Sequence, residues 1–249
     1  MISLWLRKTF NVYDNGLWEG MTDVHSHLLS GVDDGVKTRK EALDLLYYME
    51  EEIKVQRVCI TPHTMMDFNN SPMLMLKEKY EEFTSFYNGQ IELTLGSEYM
   101  LDTYFPIRLS EGLLLLGEWN GKKLLLVEGS CNYLLPSFYE TLEKCFENGY
   151  TPVLAHPERY PYLTYSDCLK MKERGCLFQL NIPSLHGAYG QGIRKTSFDL
   201  LDGDMYDFAG FDIHWYEGYV RVVRHLRLPR KRLDKLCVLL ENNKAIRFS

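Results

Sequence analysis

The sequence predicts a single-domain α/β barrel, and three observations support that fold. About seven units, each a short apolar run followed by a helical pattern, alternate along the chain, which is typical of parallel strands with helices outside them. Four short histidine motifs each directly follow one of the apolar runs. The 249 residues, 45% of them hydrophobic, suffice for one large domain with a full core.

The predicted elements follow an N-terminal tail, residues 1–20, and occupy residues 21–249. Thr22–His25 is the first strand, the capping box Thr38–Glu41 begins the first helix, and Asn120-Gly121 predicts a hairpin turn. Further strands are predicted at Val55–Ile60, Ile91–Leu95, Leu113–Leu116, Lys123–Val127, Thr151–Ala155, Leu177–Asn181 and Met205–Ala209. Further helices are predicted from Ser71 to about Tyr87, from Pro136 to Gly149, at Ser166–Arg174, at Arg194–Leu201 and in the basic sequence that closes the chain.

The composition argues against several classes of function. The formal net charge is −6, and an acidic chain is a poor general binder of nucleic acid, which requires a basic face. No apolar stretch is long enough to span a membrane. The six cysteines form no Cys-x-x-Cys pair, and most of them lie in apolar runs, so they are predicted to be small buried hydrophobic residues in a reducing compartment, and a cytoplasmic location is expected. Leu4, Trp5 and Leu6 leave peripheral membrane contact open for the tail, although a docked or frayed terminus is the favoured interpretation.

Five of the seven histidines lie in four motifs that each follow a predicted strand. The motifs are Asp23-Val24-His25-Ser26-His27, Thr61-Pro62-His63, His156-Pro157-Glu158-Arg159 and Asp212-Ile213-His214. Alternate residues of an extended backbone point the same way, so His25 and His27 are able to bind one cation. In a barrel, the loops that follow the strands converge on one face. An open doubly wound sheet is the alternative fold, but it would hardly bring residues from so many strands to one point.

Carboxylates complete a candidate metal site. Glu98 and Glu128 each end a predicted strand, and either Asp34 or Asp33 supplies a further oxygen, since the spacing alone does not choose between them. Imidazole and carboxylate ligands suit Zn²⁺, Mn²⁺ or Fe²⁺. Nine candidates exceed the three or four protein ligands of one catalytic ion, so two or three ions are expected. The candidates are His25, His27, Asp34, His63, Glu98, Glu128, His156, Asp212 and His214.

Two arginine-containing segments have alternative interpretations. Arg159 offers a planar fork suited to phosphate, and the alternative is a structural ion pair with Glu158. The segment Cys168–Arg174 fits the Cys-x5-Arg pattern of cysteine-based phosphatases. That chemistry needs a phosphate loop of converging backbone N–H groups, whereas these residues contain no glycine and predict a helix.

The motifs resemble those of a known family. Asp23–Leu28 with Gly31–Gly35 is similar to the first motif of the PHP (polymerase and histidinol phosphatase) superfamily, and most similar to the manganese-dependent protein tyrosine phosphatases of bacterial capsule and exopolysaccharide systems. The likeness runs from about Thr22 to the C-terminus. The segments that follow in the family's order are Thr61-Pro62-His63, Gly96-Ser97-Glu98, Val127-Glu128, Ala155–Tyr160, Gln179-Leu180-Asn181 and Asp212-Ile213-His214.

The resemblance implies a distorted (β/α)7 TIM-like barrel, the PHP fold, with three divalent metal ions. It implies Mn²⁺ as the metal, with Fe or Zn as alternatives, and the nine candidates above as its ligands. It also implies that Arg159 binds phosphate. The implied substrate is the phosphotyrosine tail of a bacterial membrane tyrosine autokinase that controls polysaccharide export.

One stretch departs from the family's pattern. The family often has Asn after the last histidine and an Arg-Pro-Pro a few residues later, whose Arg helps to hold phosphate. Here Trp215–Arg221 occupies that stretch. Arg221 is the nearest candidate for the second phosphate ligand, but it is offset and no proline follows it. Trp215 and Tyr216 are alternatively the walls of a pocket for an aromatic ring.

These observations predict a metal-dependent protein tyrosine phosphatase. We expect water activated at the metal cluster to attack phosphorus in line, while the ions and Arg159 hold the developing charge. His63 and Asp212 are the candidates for proton transfer. The first alternative is the same chemistry on a small molecule, such as histidinol phosphate or a sugar phosphate. The second is a non-catalytic binding module, whose expected signature is the loss of metal ligands.

Overall fold

A computed structural model describes residues 9–66 and 73–248 of the chain. Leu4, Trp5 and Leu6, for which membrane contact was considered, lie outside the described residues. The strands are β1 (Thr9–Asn11), β2 (Thr22–Ser26), β3 (Arg57–Ile60), β4 (His63–Thr64), β5 (Glu92–Leu95), β6 (Glu98–Met100), β7 (Gly117–Trp119), β8 (Lys122–Glu128), β9 (Tyr150–Ala155), β10 (Leu177–Asn181), β11 (Phe208–Gly210) and β12 (Arg227–Pro229).

Helices connect most of the strands. They are α1 (Arg39–Tyr48), α2 (Met73–Thr84), α3 (Phe105–Glu111), α4 (Phe138–Glu147), α5 (Tyr165–Glu173), α6 (Ile182–His186), α7 (Gln191–Asp202), α8 (Tyr216–His225) and α9 (Arg230–Lys244). A π-helical turn, Met49–Ile53, extends α1, and a 3-10 turn, Pro157–Arg159, follows β9. Among the described residues, no helix is both long enough and apolar enough to cross a membrane.

Parallel pairing dominates the two main sheets. The larger sheet has the order β11-β10-β9-β8-β6-β4, and β7 pairs antiparallel with β8 at the Asn120-Gly121 turn. The smaller sheet has the order β2-β3-β5. Successive βα units lie side by side in both sheets, as expected for short connections through a helix. The structure therefore confirms a single α/β domain.

The two sheets meet at both of their edges. Beside β11, the Asp212 N–H donates to His25 O at 2.9 Å and the His27 N–H donates to Ile213 O at 2.9 Å. At the other edge, the chain continues from β3 into β4 and from β5 into β6, and the Gly96 N–H donates to Ile60 O and the Glu98 N–H to Pro62 O, at 2.9 and 3.0 Å. The parallel strands among the described residues form two hydrogen-bonded sheets rather than one closed sheet. The carboxyl ends of both sheets nevertheless face one region.

Part of the N-terminal segment packs on the end of the chain. β1 pairs antiparallel with β12, and Trp18 and Met21 are buried in the core. The Trp18 indole donates to Val223 O at 3.2 Å. The division of the chain between residues 20 and 21 stays a prediction.

The sequence placed some elements wrongly. Leu113–Leu116 is not a strand, because the hairpin strand begins only at Gly117, whereas the predicted turn at Asn120-Gly121 is confirmed by positive φ angles of 50° and 75°. The last of the predicted strands, Met205–Ala209, begins at Phe208 in the structure, where it is β11. β4 and β6 have only two and three residues, too few for a periodic apolar pattern to reveal.

The predicted capping box of the first helix is half formed. Thr38 Oγ1 accepts from the Glu41 N–H at 3.2 Å, as predicted. Glu41 Oε2, however, accepts from the Lys37 N–H at 3.2 Å. Its second oxygen, Oε1, accepts from the Tyr216 N–H at 3.4 Å. A contact between α1 and α8 therefore replaces one bond of the box.

Asn243 of α9 holds the junction between the two sheets. Its Nδ2 donates to Thr22 O of β2 at 2.9 Å and to Ala209 O of β11 at 2.6 Å, and its Oδ1 accepts from the Ala209 N–H at 3.2 Å. The side chain is fully buried. One amide thus satisfies backbone groups of both edges, where the sheets have few hydrogen bonds of their own.

We expect Asn243→Leu to lower the free energy of unfolding by about 2–4 kcal/mol, because each buried backbone group left unsatisfied costs roughly 1–3 kcal/mol. Urea titration followed by circular dichroism measures the change. Asn242→Leu is the matched control, since Asn242 makes one half-buried bond to Asp207 O and should cost about 1 kcal/mol. Equal losses in the two variants would contradict this role for Asn243.

Candidate metal centre

The nine predicted ligands lie together at the carboxyl ends of neighbouring strands. A parallel arrangement brings the loops after the strands to one face, which is why residues far apart in the chain meet there. Five of the nine lie on or directly after β2, β9 and β11, and the others lie on β4, β6, β8 and in the turn after β2. They are His25, His27, Asp34, His63, Glu98, Glu128, His156, Asp212 and His214.

Glu98 is at the centre of the cluster. Its Oε2 lies 3.2 Å from Nε2 of His25 and 3.0 Å from Nδ1 of His63, and its Oε1 lies 3.0 Å from Nε2 of His156. The carboxylate is fully buried. Nε2 of His27 is 3.5 Å from the same Oε2, and a carboxylate with four imidazole nitrogens around its two oxygens has the arrangement needed to bridge cations.

Asp212 forms a second focus. Its Oδ1 lies 3.2 Å from Nε2 of His27, 3.5 Å from Nε2 of His25 and 3.3 Å from Nδ1 of His214. The two Nε2 atoms of His25 and His27 are 3.1 Å apart. Ligand atoms about 2.1 Å from one ion at tetrahedral angles lie roughly 3.4 Å from each other. The separations therefore match those of atoms that share a cation.

Two buried carboxylate oxygens support this interpretation independently. Glu98 Oε2 and Asp212 Oδ1 are inaccessible to solvent, and within the described part of the chain they are close to imidazole nitrogens but accept no hydrogen bond of good geometry. Burying an unpaired carboxylate oxygen is costly unless a cation or a donor compensates it. The donor set thus fits divalent cations at these two atoms.

The cluster divides into overlapping groups, each able to hold a cation. Asp34 extends it outwards, because its Oδ1 lies 3.4 Å from Nε2 of both His63 and His214. Glu128 Oε1 lies 2.7 Å from Nδ1 of His63. The groups with all ligand atoms within 4.8 Å of one another are His27–His63–His214, His25–His27–Asp212, His25–Glu98–His156 and His63–Glu98–Glu128.

Asp33 and Asp34 have different partners. Asp33 Oδ2 lies 2.8 Å from Nδ1 of His27 and accepts from the His63 N–H at 2.9 Å, and Oδ1 accepts from the Gly35 N–H at 3.0 Å. Its oxygens are thus occupied in orienting the ligand histidines, as is common behind a metal site. Asp34 faces the cluster instead. The geometry favours Asp34 over Asp33 as the direct ligand.

Gln179 is a supporting residue that the sequence reasoning did not assign. Its Oε1 lies 2.9 Å from Nδ1 of His25, which leaves Nε2 of His25 for the cluster. Asn181, two residues later, donates from Nδ2 to Asp212 Oδ2 at 2.8 Å. Alternate residues of a strand share a face, so two amides in the otherwise apolar strand Leu177–Asn181 were the available signal.

Arg159 pairs with Asp212 rather than with Glu158. Its Nη1 donates to Asp212 Oδ2 at 2.8 Å. Glu158 is buried, and it accepts from the Asn181 N–H and from the Tyr206 hydroxyl, each at 3.0 Å. Glu158 therefore fastens the turn that carries Arg159 to β10. The guanidinium is left at the edge of the metal cluster with its side chain 22% exposed.

Two of the candidate ligands have left-handed backbone conformations. His156 has φ of 39° and Asp212 has φ of 51°. A non-glycine residue at positive φ is held there by its surroundings at an energetic cost, and such residues cluster at functional sites. Here the left-handed turns follow β9 and β11, and they aim both side chains at Glu98 and its neighbours.

The electrostatics of the cluster are dominated by burial and by its own opposite charges. Burial lowers the pKa of His25, but Glu98 and Asp212 outweigh it and raise that pKa to about 9. Burial raises the pKa of Glu98 and of Asp212, but the neighbouring histidines hold both pKa values well below their usual range. Burial and Arg159 lower the pKa of His156 to about 4. Divalent cations that replace the protons on the histidines would therefore bind next to the ionised carboxylates of Glu98 and Asp212.

We expect divalent-metal affinity to rise steeply with pH, because His25 must lose a proton to bind. Its pKa is raised from 6.5 to about 9 in the metal-free protein, so its protonated form stabilises the fold below pH 6.5 and this contribution is lost as pH rises towards 9. Titration calorimetry with Mn²⁺ in two buffers of different ionisation enthalpy counts the protons released. His186→Gln should release the same number, and an affinity that stays flat from pH 6.5 to 9 would contradict the prediction.

The remaining sequence candidates lie away from the cluster. Cys168 is buried on α5, burial raises the pKa of its thiol to about 11, and Arg174 pairs with Glu143. The Cys-x5-Arg segment therefore lacks the geometry of a phosphate loop. Arg221 is exposed on α8. Burial lowers the pKa of His186, and the charges of Arg194, His225 and Arg221 add to this effect in that order. The assignment of Arg221 as a phosphate ligand stays a prediction.

Comparison with known proteins agrees with this arrangement. Residues 21–224 match the family described as "Capsular polysaccharide synthesis, CpsB/CapC". The chain belongs to the CpsB/CapC family. A Staphylococcus aureus protein named as a candidate tyrosine-protein phosphatase, CapC, is 30% identical over 247 residues, 91% of each chain. Tyrosine-protein phosphatase CpsB of Streptococcus pneumoniae is 25% identical over 206 residues, 78% of this chain and 83% of that one.

A solved structure of the CpsB/CapC family has the same fold. It comes from work on YwqE of Bacillus subtilis and CpsB of Streptococcus pneumoniae, described as metal-dependent tyrosine phosphatases. The match has a TM-score of 0.70 and 20% sequence identity, and it covers 89% of this chain and 95% of that chain. The match supports the mixed α/β fold described above, and the family match over residues 21–224 confirms the predicted family.

Proposed function

We propose that this CpsB/CapC family protein is a metal-dependent protein tyrosine phosphatase. The observation that carries the proposal is the convergence of nine metal-ligand side chains, with Arg159 at the edge of the cluster. The relatives are named as tyrosine-protein phosphatases, and these names support phosphotyrosine as the substrate rather than other phosphate esters. All nine ligands are present, which argues against a binding module that has lost its chemistry.

We propose three divalent ions, with Mn²⁺ as the native metal. His25, His27, Glu98 and Asp212 would hold one ion, Glu98, Glu128 and His156 a second, and Asp34, His63 and His214 a third. Bound ions of this kind lower the pKa of water and steady the charge on phosphoryl oxygens. Four carboxylates in the cluster leave two units of positive charge for a phosphate dianion once three divalent ions are bound.

The chain's own residues orient and hold the phosphate. Arg159 uses Nη1 to bind Asp212, and its Nε and Nη2 make no hydrogen bond with a described residue, so they are available to phosphoryl oxygens. A planar guanidinium is suited to two such contacts. Asp212 is ionised, because the neighbouring histidines hold its pKa well below the usual range, and it is the first candidate for proton transfer. His63 is the second candidate for proton transfer, although a tyrosyl leaving group departs without a strong acid.

We also propose that the two sheets form the distorted (β/α)7 barrel of the PHP fold. Support comes from the backbone hydrogen bonds at both junctions and from the isolated parallel bridge between Ser26 and Ile213. Residues 21–249 would then be the barrel, with residues 1–20 as a preceding segment. Such an arrangement explains why Asp212, which follows β11, contacts His25 and His27 at the end of β2, although the two strands lie far apart in the chain.

The proposed substrate is the phosphotyrosine tail of a bacterial membrane tyrosine kinase of capsule synthesis. The family description supports a role in capsular polysaccharide synthesis, and the names of the relatives support a phosphotyrosyl protein as substrate. We also propose that the protein itself is cytoplasmic. This location is supported by the six cysteines, all of which are free thiols.

Phosphate release from a phosphotyrosyl peptide tests the proposal. Chelator-treated protein should be inactive, added Mn²⁺ should restore turnover, and His27→Ala should stay inactive with metal. A phosphoseryl peptide of the same sequence is the control for the aryl group. Turnover of histidinol phosphate or a sugar phosphate without turnover of the peptide would favour the small-molecule alternative. Inactivity on every ester would favour the binding module.

A further inference from the structure

Trp215 is exposed at the edge of the candidate metal centre. It directly follows His214, its side chain is 53% exposed, and its ring centroid lies 6.2 Å from that of His214. Trp215 lines a cavity together with Tyr189, Asp212 and His214. An exposed indole next to a cluster of polar ligands is available for contact with a substrate.

Tyr189 forms the other aromatic wall of the same cavity. The Arg159 guanidinium lies 4.4 Å from the centroid of the Tyr189 ring, at cation–π distance. The Tyr189 hydroxyl accepts from Nδ2 of Asn181 at 3.3 Å. Arg159 and Asn181 both also bind Asp212. The aromatic wall is therefore fixed to the residues that hold Asp212.

Gly218 provides the space in which the Trp215 indole lies. A Cβ atom at Gly218 would be 2.2 Å from Nε1 of Trp215 and 2.6 Å from its Cε2. The ring thus packs directly over the first turn of α8. Tyr216 is placed differently, since its ring lies 5.7 Å from that of Tyr48 and lines a separate groove with Glu41 and Tyr47.

We propose that Trp215 and Tyr189 form an aromatic slot that binds the phenyl ring of an aryl phosphate and so determines the substrate class of this site. The proposal rests on the proposed phosphatase function and adds the residues that select aryl over alkyl esters. The volume of the cavity is about 40 Å³, smaller than the roughly 150 Å³ of a cavity that holds benzene. The ring therefore lies across the open mouth, against the exposed indole.

The slot explains how the site selects its substrate without a second arginine at this position. The stretch Trp215–Gly218 begins α8 immediately after the last ligand, His214. Binding energy from an aromatic contact at the leaving group can substitute for part of the binding energy of a phosphate contact. The aromatic contact also discriminates between aryl and alkyl esters, because phosphoserine and alkyl phosphates have no ring that could bind in the slot.

Affinity for two phosphonates tests the slot without any turnover. Phenylphosphonate and methylphosphonate present the same charged group with and without a ring, and calorimetry on Mn²⁺-loaded protein gives both dissociation constants. The wild type should bind phenylphosphonate about tenfold more tightly, as expected for one aromatic contact. In Trp215→Ala this ratio should fall to about two or less, and Trp215→Phe should restore most of it. An unchanged ratio in Trp215→Ala would overturn the proposal.

Gly218→Ala separates the slot from general effects on folding. Alanine is a better helix former than glycine, so the melting temperature should not fall, but the new Cβ must displace the exposed indole. The ratio of the two dissociation constants should fall at least threefold. Tyr139→Ala, which removes an exposed aromatic from α4, is the control and should keep the wild-type ratio. A Gly218→Ala protein with the wild-type ratio would count against the slot.

The test distinguishes this inference from the proposed function. A protein that hydrolyses phosphotyrosyl peptide but shows the same phosphonate ratio in all variants would keep the phosphatase and lose the slot. A protein that is inactive on peptide but loses ring preference in Trp215→Ala would keep the slot and lose the phosphatase.

Discussion

Replacing Glu98 with glutamine should slow phosphate release from a phosphotyrosyl peptide roughly a thousandfold, because bound metal supplies several kcal/mol of transition-state stabilisation. Glu98 is the carboxylate with the most histidine partners, since His25, His27 and His63 lie within 3.5 Å of Oε2 and His156 lies 3.0 Å from Oε1. The amide has nearly the same shape, so packing is preserved. Its neutral oxygen is a poor bridging ligand, and its NH₂ group would face an imidazole nitrogen or a cation.

Metal content decides whether the lost rate has this cause. Elemental analysis after dialysis should find fewer ions per chain in Glu98→Gln than in the wild type, while circular dichroism should show the same secondary structure. Glu143→Gln is the matched control, because Glu143 is a surface carboxylate paired with Arg174, and both its rate and its metal content should be those of the wild type. Wild-type metal content in Glu98→Gln with a rate within tenfold would contradict a bridging role.

The convergence of the candidate ligands was predictable because strand geometry fixes where alternate residues point. His25 and His27 have the His-x-His spacing on β2, and the structure brings their Nε2 atoms to 3.1 Å. Asp212 and His214 have the same spacing and converge on the same point. Each motif ends a parallel strand, so the fold class alone was enough to place these residues on one face.

The supporting residues were less predictable, because their roles depend on the exact path of short loops. Asp33 and Asp34 are adjacent, and only the turn after β2 determines that Asp33 binds His27 while Asp34 faces His63 and His214. The contact between Gly218 and Trp215 likewise needs the first turn of α8. Spacing in the sequence does not encode such tertiary contacts.

The contact that joins the two sheets was also beyond the pattern of strands and helices. The strands at the junctions are short, and part of their pairing is supplied by Asn243, which lies near the C-terminus and binds backbone of β2 and β11. A lone asparagine in a helix predicts nothing by itself. The structural role of Asn243 depends on the backbone groups of β2 and β11 that it binds, and these are known only from the structure.

Arg159→Lys should lower kcat/KM for the phosphotyrosyl peptide roughly a hundredfold, which is the expected cost of losing one oriented donor to the phosphate. Lysine keeps the charge, but it lacks the fork that binds Asp212 and that we propose binds phosphate as well, and it loses the planar contact with Tyr189. Asp212 would still accept from Asn181, so we expect the metal cluster to stay intact.

That separation makes Arg159→Lys a test of phosphate binding rather than of metal binding. Metal content and melting temperature should match the wild type, while inhibition by inorganic phosphate should weaken together with kcat/KM. Arg174→Lys, a change in a surface ion pair with Glu143, should alter neither quantity. If Arg159→Lys kept a rate within threefold of the wild type at full metal content, the ions alone would hold the phosphate and Arg159 would act only through Asp212.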